Sequence, residues 1–357
     1  MSATITPQID EERLNALLGQ AVVEFGATVN AALIVIGDRL GLYRELAAGG
    51  PQTSSELAER TGTSERYVRE WLNAQAASGW VGYDAASQQY SMSTEQALLF
   101  ANPESPAFVG GAFQLALGSA ASREHILEAF QTGTGFGWGE HTHDVFDGCR
   151  RFFEPGYHAN IVQSWIPALD GVAERLTAGG SVADIGCGQG ASSIVMAQGY
   201  PASRVHGTDA HDGSVEEARR QAEQAGVADR VTFAAEPAMA INGSYDLVTS
   251  FDCLHDMGDP VGAATRVREA LAPGGTWMIV EPRAGDSVEE NLNPVGRAYY
   301  AFSTLLCTPS SLSQEVGLAL GAQAGEARLR AVLGEAGFTS VRRAAETPFN
   351  LVLEARP

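Results

Sequence analysis

Val182-Ala183-Asp184-Ile185-Gly186-Cys187-Gly188-Gln189-Gly190 runs directly into Ala191-Ser192-Ser193-Ile194-Val195-Met196. A short apolar run carries a carboxylate near its end, passes through three alternating glycines, and enters a segment with helical spacing. The pattern is strand, tight turn, helix, the opening unit of a doubly wound α/β domain. Glycine lets backbone approach a ligand closely because no Cβ stands in the way. Spacing alone leaves the ligand open: Gly186, Gly188 and Ala191 also satisfy the dinucleotide pattern G-x-G-x-x-A, and a glycine turn can serve structure only. Asp184 favours another kind of partner, since a carboxylate repels a pyrophosphate and suits a ligand with an ammonium group.

The residues downstream repeat the unit. Ser203–Thr208 reads as a second strand with Asp209 at its end, about 20 residues past the turn, where an acid accepts hydrogen bonds from a ribose diol. A helix over Ser214–Ala225 leads to a third strand, Arg230–Ala235, which ends at Glu236. Tyr245–Ser250 is a fourth strand. A helix near Val261–Leu271 and the turn Pro273-Gly274-Gly275 precede a fifth, Thr276–Val280. Strands alternating with helices imply a parallel sheet that binds ligands at its carboxyl ends.

Asp184-Ile185-Gly186-Cys187-Gly188-Gln189-Gly190, Gly207-Thr208-Asp209, Tyr245-Asp246-Leu247-Val248 and Leu271-Ala272-Pro273-Gly274-Gly275-Thr276 together resemble the class I methyltransferases that use S-adenosylmethionine (SAM). Phe251 to Pro260 and Thr347 to Arg356 extend the resemblance to bacterial two-domain methyltransferases with an N-terminal winged helix, similar to small-molecule O-methyltransferases. The resemblance implies a Rossmann-like α/β domain with a mixed, mostly parallel seven-stranded sheet, behind a helical winged-helix domain. It places SAM against Asp184, Gly186, Cys187, Gly188, Asp209, Ala210, Glu236, Pro237, Phe251 and Asp252. The expected domains are 1–154, for dimerisation and substrate enclosure, and 155–357, for SAM, with a lid insertion over 286–321.

A chain of 357 residues has ample core volume for two domains, and its apolar fraction of 45% is that of a globular protein. The net charge of -20, from 43 acidic and 23 basic residues, disfavours nucleic acid and anionic membranes as partners. No positively charged, apolar leader opens the chain, and no apolar run approaches the ~18 residues that span a bilayer. Cys149, Cys187, Cys253 and Cys307 form no C-x-x-C pair. A cytoplasmic protein with free thiols is expected.

Near the N-terminus the spacing predicts a pair of helices, Glu11–Phe25 and Thr28–Leu40. Leu33 to Ile36 is too apolar for a helix with a wide solvent face, which points to burial or a homodimer. Pro51–Ala58, Glu65–Ala77, Trp80–Tyr83 and Gln88–Met92 read as a helix-turn-helix with a β wing. Its second helix carries Glu65, Arg66, Arg69 and Glu70, balanced in charge rather than basic, so DNA binding is not the favoured role. Ser105 to Thr132 reads as further helix, and Gly133 to Gly139 as a loop with Phe136 and Trp138.

Candidate chemistry lies in two places. Glu140-His141-Thr142-His143-Asp144 holds two histidines that share a face only if extended. They are candidates for substrate contact, with Trp138, Tyr157 and the lid's Tyr299, and no metal site is assigned to them. After the fourth strand, Leu254-His255-Asp256 begins the next helix. In plant-type O-methyltransferases an L-H-D motif here carries the catalytic histidine, so the resemblance makes His255 a general base, with Glu281 to orient it. Where those enzymes have a second acid this chain has Gln323, and Glu326 is the possible replacement. A neutral imidazole accepts a hydroxyl proton as oxygen attacks a methyl group. The expected function is SAM-dependent methyl transfer to a small-molecule acceptor, on oxygen. Two alternatives remain: a SAM-binding winged-helix regulator, and a methyltransferase scaffold with N- or C-methylation or another reaction.

Overall fold

The computed structural model describes residues 9–357. By internal contact the chain divides into two compact units, one up to Phe113 and one from Gln114. The boundary expected at 154/155 falls inside an unbroken helix, His143–Asn160.

The first unit begins with α1, Glu11–Arg39, one helix of 29 residues where two were expected. Gly26 does not break it; a single exposed glycine lowers helix propensity by only ~1 kcal/mol relative to Ala. Undivided, α1 is long and apolar enough by length and composition to cross a bilayer, which the sequence reading missed by splitting it. Ile34 and Val35 are buried, whereas Leu14, Leu18, Val22, Phe25 and Val29 are 44–68% exposed. Then come α2 (Leu42–Gly49), α3 (Ser54–Thr61), α4 (Glu65–Ala77), the hairpin β1 (Gly82–Asp84) and β2 (Gln89–Ser91), and α5 (Thr94–Phe100). A capping box starts α3: Thr53 Oγ1 accepts from Glu56 N–H, and the Glu56 carboxylate accepts from Thr53 N–H. The winged helix-turn-helix reading therefore stands in outline.

Polar groups fix how α1, α2 and α4 meet. Tyr43 OH donates to Gln75 Oε1 at 2.9 Å, and Gln75 Nε2 donates to Asn30 Oδ1 at 2.8 Å, with Gln75 fully buried. Trp71 Nε1 donates to Leu33 O at 2.8 Å, laying the indole over Gly37.

The helix α6 (Gly110–Ala121) contains the division between the units, and α7 (Arg123–Thr132) follows. After the glycine-rich loop, α8 (His143–Asn160) passes through Pro155 and ends in a π-turn, Ile161–Trp165. Then come α9 (Val172–Thr177), β3 (Ser181–Ile185), α10 (Ala191–Gly199), β4 (Arg204–Asp209), α11 (Asp212–Gln224), β5 (Val231–Ala235) and β6 (Tyr245–Phe251). The chain closes with α12 (Pro260–Ala270), β7 (Leu271–Pro282), α13 (Pro294–Phe302), α14 (Thr308–Leu312), α15 (Glu326–Glu335), β8 (Ser340–Glu346) and β9 (Asn350–Arg356). The seven-stranded sheet has the order β5-β4-β3-β6-β7-β9-β8. Its first five strands are parallel, and β9 runs antiparallel to both neighbours. Two buried clusters cover its faces, one around Trp165 and Val195, the other around Trp277 and Leu333. Strand order reverses between β3 and β6, so a crevice opens there at the carboxyl ends.

Two glycines of α1 give opposite expectations for one substitution. A Cβ at Gly37 would stand 2.4 Å from Trp71 Cζ2, whereas one at Gly26 meets nothing within 4 Å. Gly37→Ala should destabilise by ~1–3 kcal/mol through overpacking. Gly26→Ala should stabilise by about 1 kcal/mol through helix propensity. Denaturant midpoints of the two variants check both signs.

Candidate active site

The glycine turn is built as the sequence implies, and its carboxylate is used differently. Gly186, Gly188 and Gly190 all have positive φ, from +52° to +82°. A Cβ at Gly186 would meet Cys253 Sγ at 2.6 Å, so this glycine is needed for packing. Gly188 has nothing within 4 Å of a Cβ position and lines a cavity of about 250 Å³. Asp184 does not line that cavity. It is fully buried, and its carboxylate accepts from Ser192 Oγ and Ser193 Oγ, both at 2.6 Å, and from Thr249 Oγ1 at 2.8 Å. Three hydroxyls consume the charge intended for a ligand, joining β3 to α10 and β6. Burial raises its pKa against those bonds.

Asp209 ends β4 in the cavity wall. Its Oδ2 accepts from Gly188 N–H and its Oδ1 from His211 N–H, both at 2.9 Å. Burial raises its pKa although both amides favour the charged form. Gly186, Cys187, Ala210, Glu236, Pro237, Phe251 and Asp252 line the same cavity, so nine of the ten positions named for the cofactor come together. The cavity fits that cofactor: the space at Gly188 admits a ligand against backbone, and Asp209 and Glu236 end adjacent strands beside it.

Asp252 sits where β6 ends, in a left-handed backbone conformation (φ +49°) that non-glycine residues adopt at a cost. Asn350 Nδ2 donates to both of its carboxylate oxygens, at 2.9 and 3.1 Å. Burial, then the charge of Glu281, raises the Asp252 pKa well above its ordinary value.

Leu254–Asp256 forms a separate 3-10 turn instead of opening α12. The turn places His255 inward, 3% exposed, with Nδ1 at 2.5 Å from Glu281 Oε2. Glu281 Oε1 accepts from Leu254 N–H at 3.0 Å, so one buried carboxylate fixes both turn and ring. Burial alone lowers an imidazole pKa. Here burial is the largest single influence, but Glu281 and Cys307 together outweigh it and raise the pKa of His255 well above 6.5. His255 does not line the cavity; its neighbour Asp256 does, with its carboxyl pushed up to about 7 chiefly by burial.

The aromatic candidates divide. Trp138 and Tyr157 line the cavity. Tyr299 is buried in an apolar cluster with Leu115, Val145 and Leu306, and its OH donates to Phe349 O at 3.0 Å. His141 is buried against Phe136 with Nδ1 at 3.0 Å from Ser122 Oγ, and burial lowers its pKa to about 4. His143 starts α8 on the exposed side, in a shallow groove with His211 and Glu217. The helix start separates the two histidines, and no group of metal-ligating side chains occurs among the described residues. Glu326 pairs with Arg330 and Arg343, and Gln323 donates to Ala322 O. Neither supplies a second acid to His255.

Sequence reasoning missed Asn350, Arg150 and Cys307. Asn350 belongs to the quoted Thr347–Arg356 stretch, but nothing local shows its partner. Arg150 lines the cavity with its donors committed to Gln189, Asp147 and Glu154. Cys307 faces His255 Nε2 at 3.3 Å.

Residues 26–102 match the family described as the Rv2258c-like winged HTH domain, and residues 176–319 match the methyltransferase domain family. The chain is 32% identical over 139 residues to 27-O-demethylrifamycin SV methyltransferase of Amycolatopsis mediterranei, covering 36% of this chain and 51% of that one. It is 31% identical over 130 residues to dimethylglycine N-methyltransferase of Parasynechococcus marenigrum, covering 36% and 46%. The chain thus spans about half the length of these relatives. Two solved structures share the fold over nearly the whole chain. The mitomycin 7-O-methyltransferase MmcR has a TM-score of 0.70 at 20% identity, covering 98% of this chain and 100% of that one. Human N-acetylserotonin methyltransferase in complex with SAM has a TM-score of 0.68 at 16% identity, covering 100% and 99%.

The His255–Glu281 pair has a testable electrostatic sign. Glu281→Gln removes the largest influence that raises the His255 pKa and leaves burial opposed by Cys307 alone, so the His255 titration, followed by NMR, should move to lower pH. An imidazole pKa raised by folding stabilises the fold fully below its unfolded value of ~6.5. That contribution is lost as pH rises through the folded value, and Glu281→Gln should flatten this dependence.

Proposed function

We propose that this chain, in which a methyltransferase domain follows a winged helix-turn-helix domain, binds SAM and methylates a hydroxyl oxygen of a small molecule. The observation that carries the reading is the cavity at the carboxyl ends of β3, β4 and β6, with Gly188 open to it and Asp209 in its wall. SAM supplies a methyl group on a positively charged sulfonium. Asp209 accepts hydrogen bonds from the ribose diol, and its anchorage to Gly188 and His211 holds it in place. The cavity's carboxyls, costly to ionise together, favour a cationic ligand. Trp138, Phe153 and Tyr157 wall off water around it.

The relatives include an O- and an N-methyltransferase by name, so likeness alone does not choose the atom. The His255–Glu281 pair favours oxygen, because a hydroxyl must lose a proton as it attacks. Glu281 holds Nδ1–H, which leaves Nε2 as the basic nitrogen. His255 carries the proton away and Glu281 stabilises the imidazolium. With its pKa raised, the base is neutral only above the ordinary histidine range, and turnover should increase with pH there. The regulator reading is not favoured, since α4 pairs Arg66 with Glu70 and Arg69 with Glu65, neutralising its own cations.

Two variants separate cofactor from chemistry. Asp209→Ala should weaken SAM binding by roughly 10- to 100-fold in calorimetry, the range for a hydrogen bond to a charged group. His255→Ala should lower methyl transfer by ~100-fold or more and leave SAM affinity nearly intact. The acceptor can be sought by incubation with SAM and fractionated metabolites, with mass spectrometry for a product one methylene heavier. Normal turnover of folded His255→Ala removes the histidine mechanism.

The chain is proposed to work as a cytoplasmic homodimer built on α1. Leu14, Leu18, Val22, Phe25 and Val29 recur at helical spacing along one exposed stripe, where a second copy would cover them. This places the expected contact earlier than Leu33–Ile36, where Ile34 and Val35 are already buried. Light scattering at micromolar concentration should report a dimer, and Leu18→Glu with Val22→Glu a monomer. A wild-type monomer that sediments with lipid vesicles would assign the stripe to a membrane surface instead.

A further inference from the structure

Both ring nitrogens of His255 are occupied within the protein. Nδ1 faces Glu281 and Nε2 faces Cys307 Sγ at 3.3 Å. At pH above the raised His255 pKa, with Nδ1–H held by Glu281, the neutral imidazole carries its lone pair on Nε2 and the thiol donates S–H to it; below that pH, Nε2–H donates to the sulfur instead. A hydroxyl approaching Nε2 therefore meets Cys307 first. The thiol does not itself line the cavity, but it belongs to the same apolar cluster as Cys149, which does.

The segment that holds Cys307 is unusual. It closes a π-turn, Ser303–Cys307, in which Thr308 N–H reaches back to Ser303 O. Such wide single turns occur mostly as local insertions in α-helices, frequently at functional sites. Immediately beyond it, Ser311 Oγ donates to Met257 O at 2.8 Å, and Gln314 Nε2 donates to Asp256 O at 3.0 Å. The thiol is thereby tied to the loop that carries the base, while Ser310 and Gln314 of the same segment face the cavity.

We propose that Cys307 is a positioning residue for methyl transfer, its thiol covering the reactive nitrogen of His255 in the resting enzyme until the acceptor's hydroxyl takes its place. The inference rests on His255 as the base. It also identifies a side reaction that the thiol suppresses. An uncovered Nε2 would serve water as well as an alcohol: the water oxygen attacks the methyl carbon, the sulfonium carbon–sulfur bond breaks, and the water proton passes to Nε2. The products are methanol and S-adenosylhomocysteine, formed without an acceptor. Keeping water from the base until an acceptor arrives prevents this loss.

The test uses the full chain and two readouts. The first is labelling by diethyl pyrocarbonate, which acylates unprotonated imidazole, run without SAM at alkaline pH and located by mass spectrometry. His255 should label slowly in the wild type and roughly tenfold faster in Cys307→Ala, the worth of about one hydrogen bond. Cys307→Ser retains a donor to Nε2 and should label like the wild type, with exposed His143 as internal reference in each. The second readout is S-adenosylhomocysteine formed from SAM with no acceptor. It should rise in Cys307→Ala and return to the wild-type level in Cys307→Ala/His255→Ala. Equal labelling of His255 in wild type and Cys307→Ala overturns the proposal. So does Cys307→Ser labelling as fast as Cys307→Ala, or an acceptor-free rise that survives loss of His255. Failure of the methyltransferase reading would show separately, as absent SAM binding in calorimetry, because the labelling needs no cofactor.

Discussion

Beneath the glycine turn lies a carboxylate with no exposure to solvent, Asp184, and three hydroxyls from two other elements converge on it. Removing a buried carboxylate from water costs several kcal/mol unless hydrogen bonds replace the lost solvation. Ser192, Ser193 and Thr249 replace it here, and each is committed to one geometry by doing so. That constraint sets the start of α10 against β3 and holds β6 alongside, at the point where strand order reverses. The frame of the crevice between β3 and β6 is therefore held by bonds within the protein itself. Gly188 and Asp209, joined by the 2.9 Å hydrogen bond from the Gly188 N–H, form one wall of the cavity on that frame.

The same logic recurs two strands over, on β7, with a second buried carboxylate. Glu281 accepts from Leu254 N–H and faces His255 Nδ1, so the turn after β6 and the imidazole are positioned by one group on β7. Asp252, just ahead of that turn and strained in backbone, is held by Asn350 from β9. Burial raises the pKa of Asp209, Asp252 and Asp256 in this one cavity. A site that resists its own ionisation is preorganised for a positive ligand, because a cation lowers the cost of charging every carboxyl around it. Electrostatics and sheet topology thus select the same crevice.

Where the sequence misled, tertiary packing overrode a local rule. Gly26 marked a break in α1 by propensity, yet the helix continues to Arg39. A domain boundary was expected at 154/155, yet α8 runs through it and through Pro155, and the irregularity follows as the π-turn at Ile161–Trp165. Leu254-His255-Asp256 has the composition of a helix start, but the 3-10 turn forms because Glu281 captures Leu254 N–H. Asp184 was assigned to a ligand because sequence cannot show that hydroxyls eight and nine residues later turn back onto it.

What the sequence alone determined is the set of features governed by local periodicity and turn chemistry. It contained the alternation of strands and helices, the glycines of the turn, Asp209 at a strand end, and His255 after one strand with Glu281 near the end of the next. These follow from side-chain spacing of two or 3.6 residues and from the absence of a Cβ, properties written into a few adjacent residues. Only the tertiary structure decided which way those groups face. The thiol on His255 comes from 52 residues further along the chain, and the amide on Asp252 from 98. Such pairings depend on the order of strands in the sheet and on how the segment after β7 folds back. A buried polar group takes whatever partner that packing brings within hydrogen-bond distance, and no local pattern encodes it.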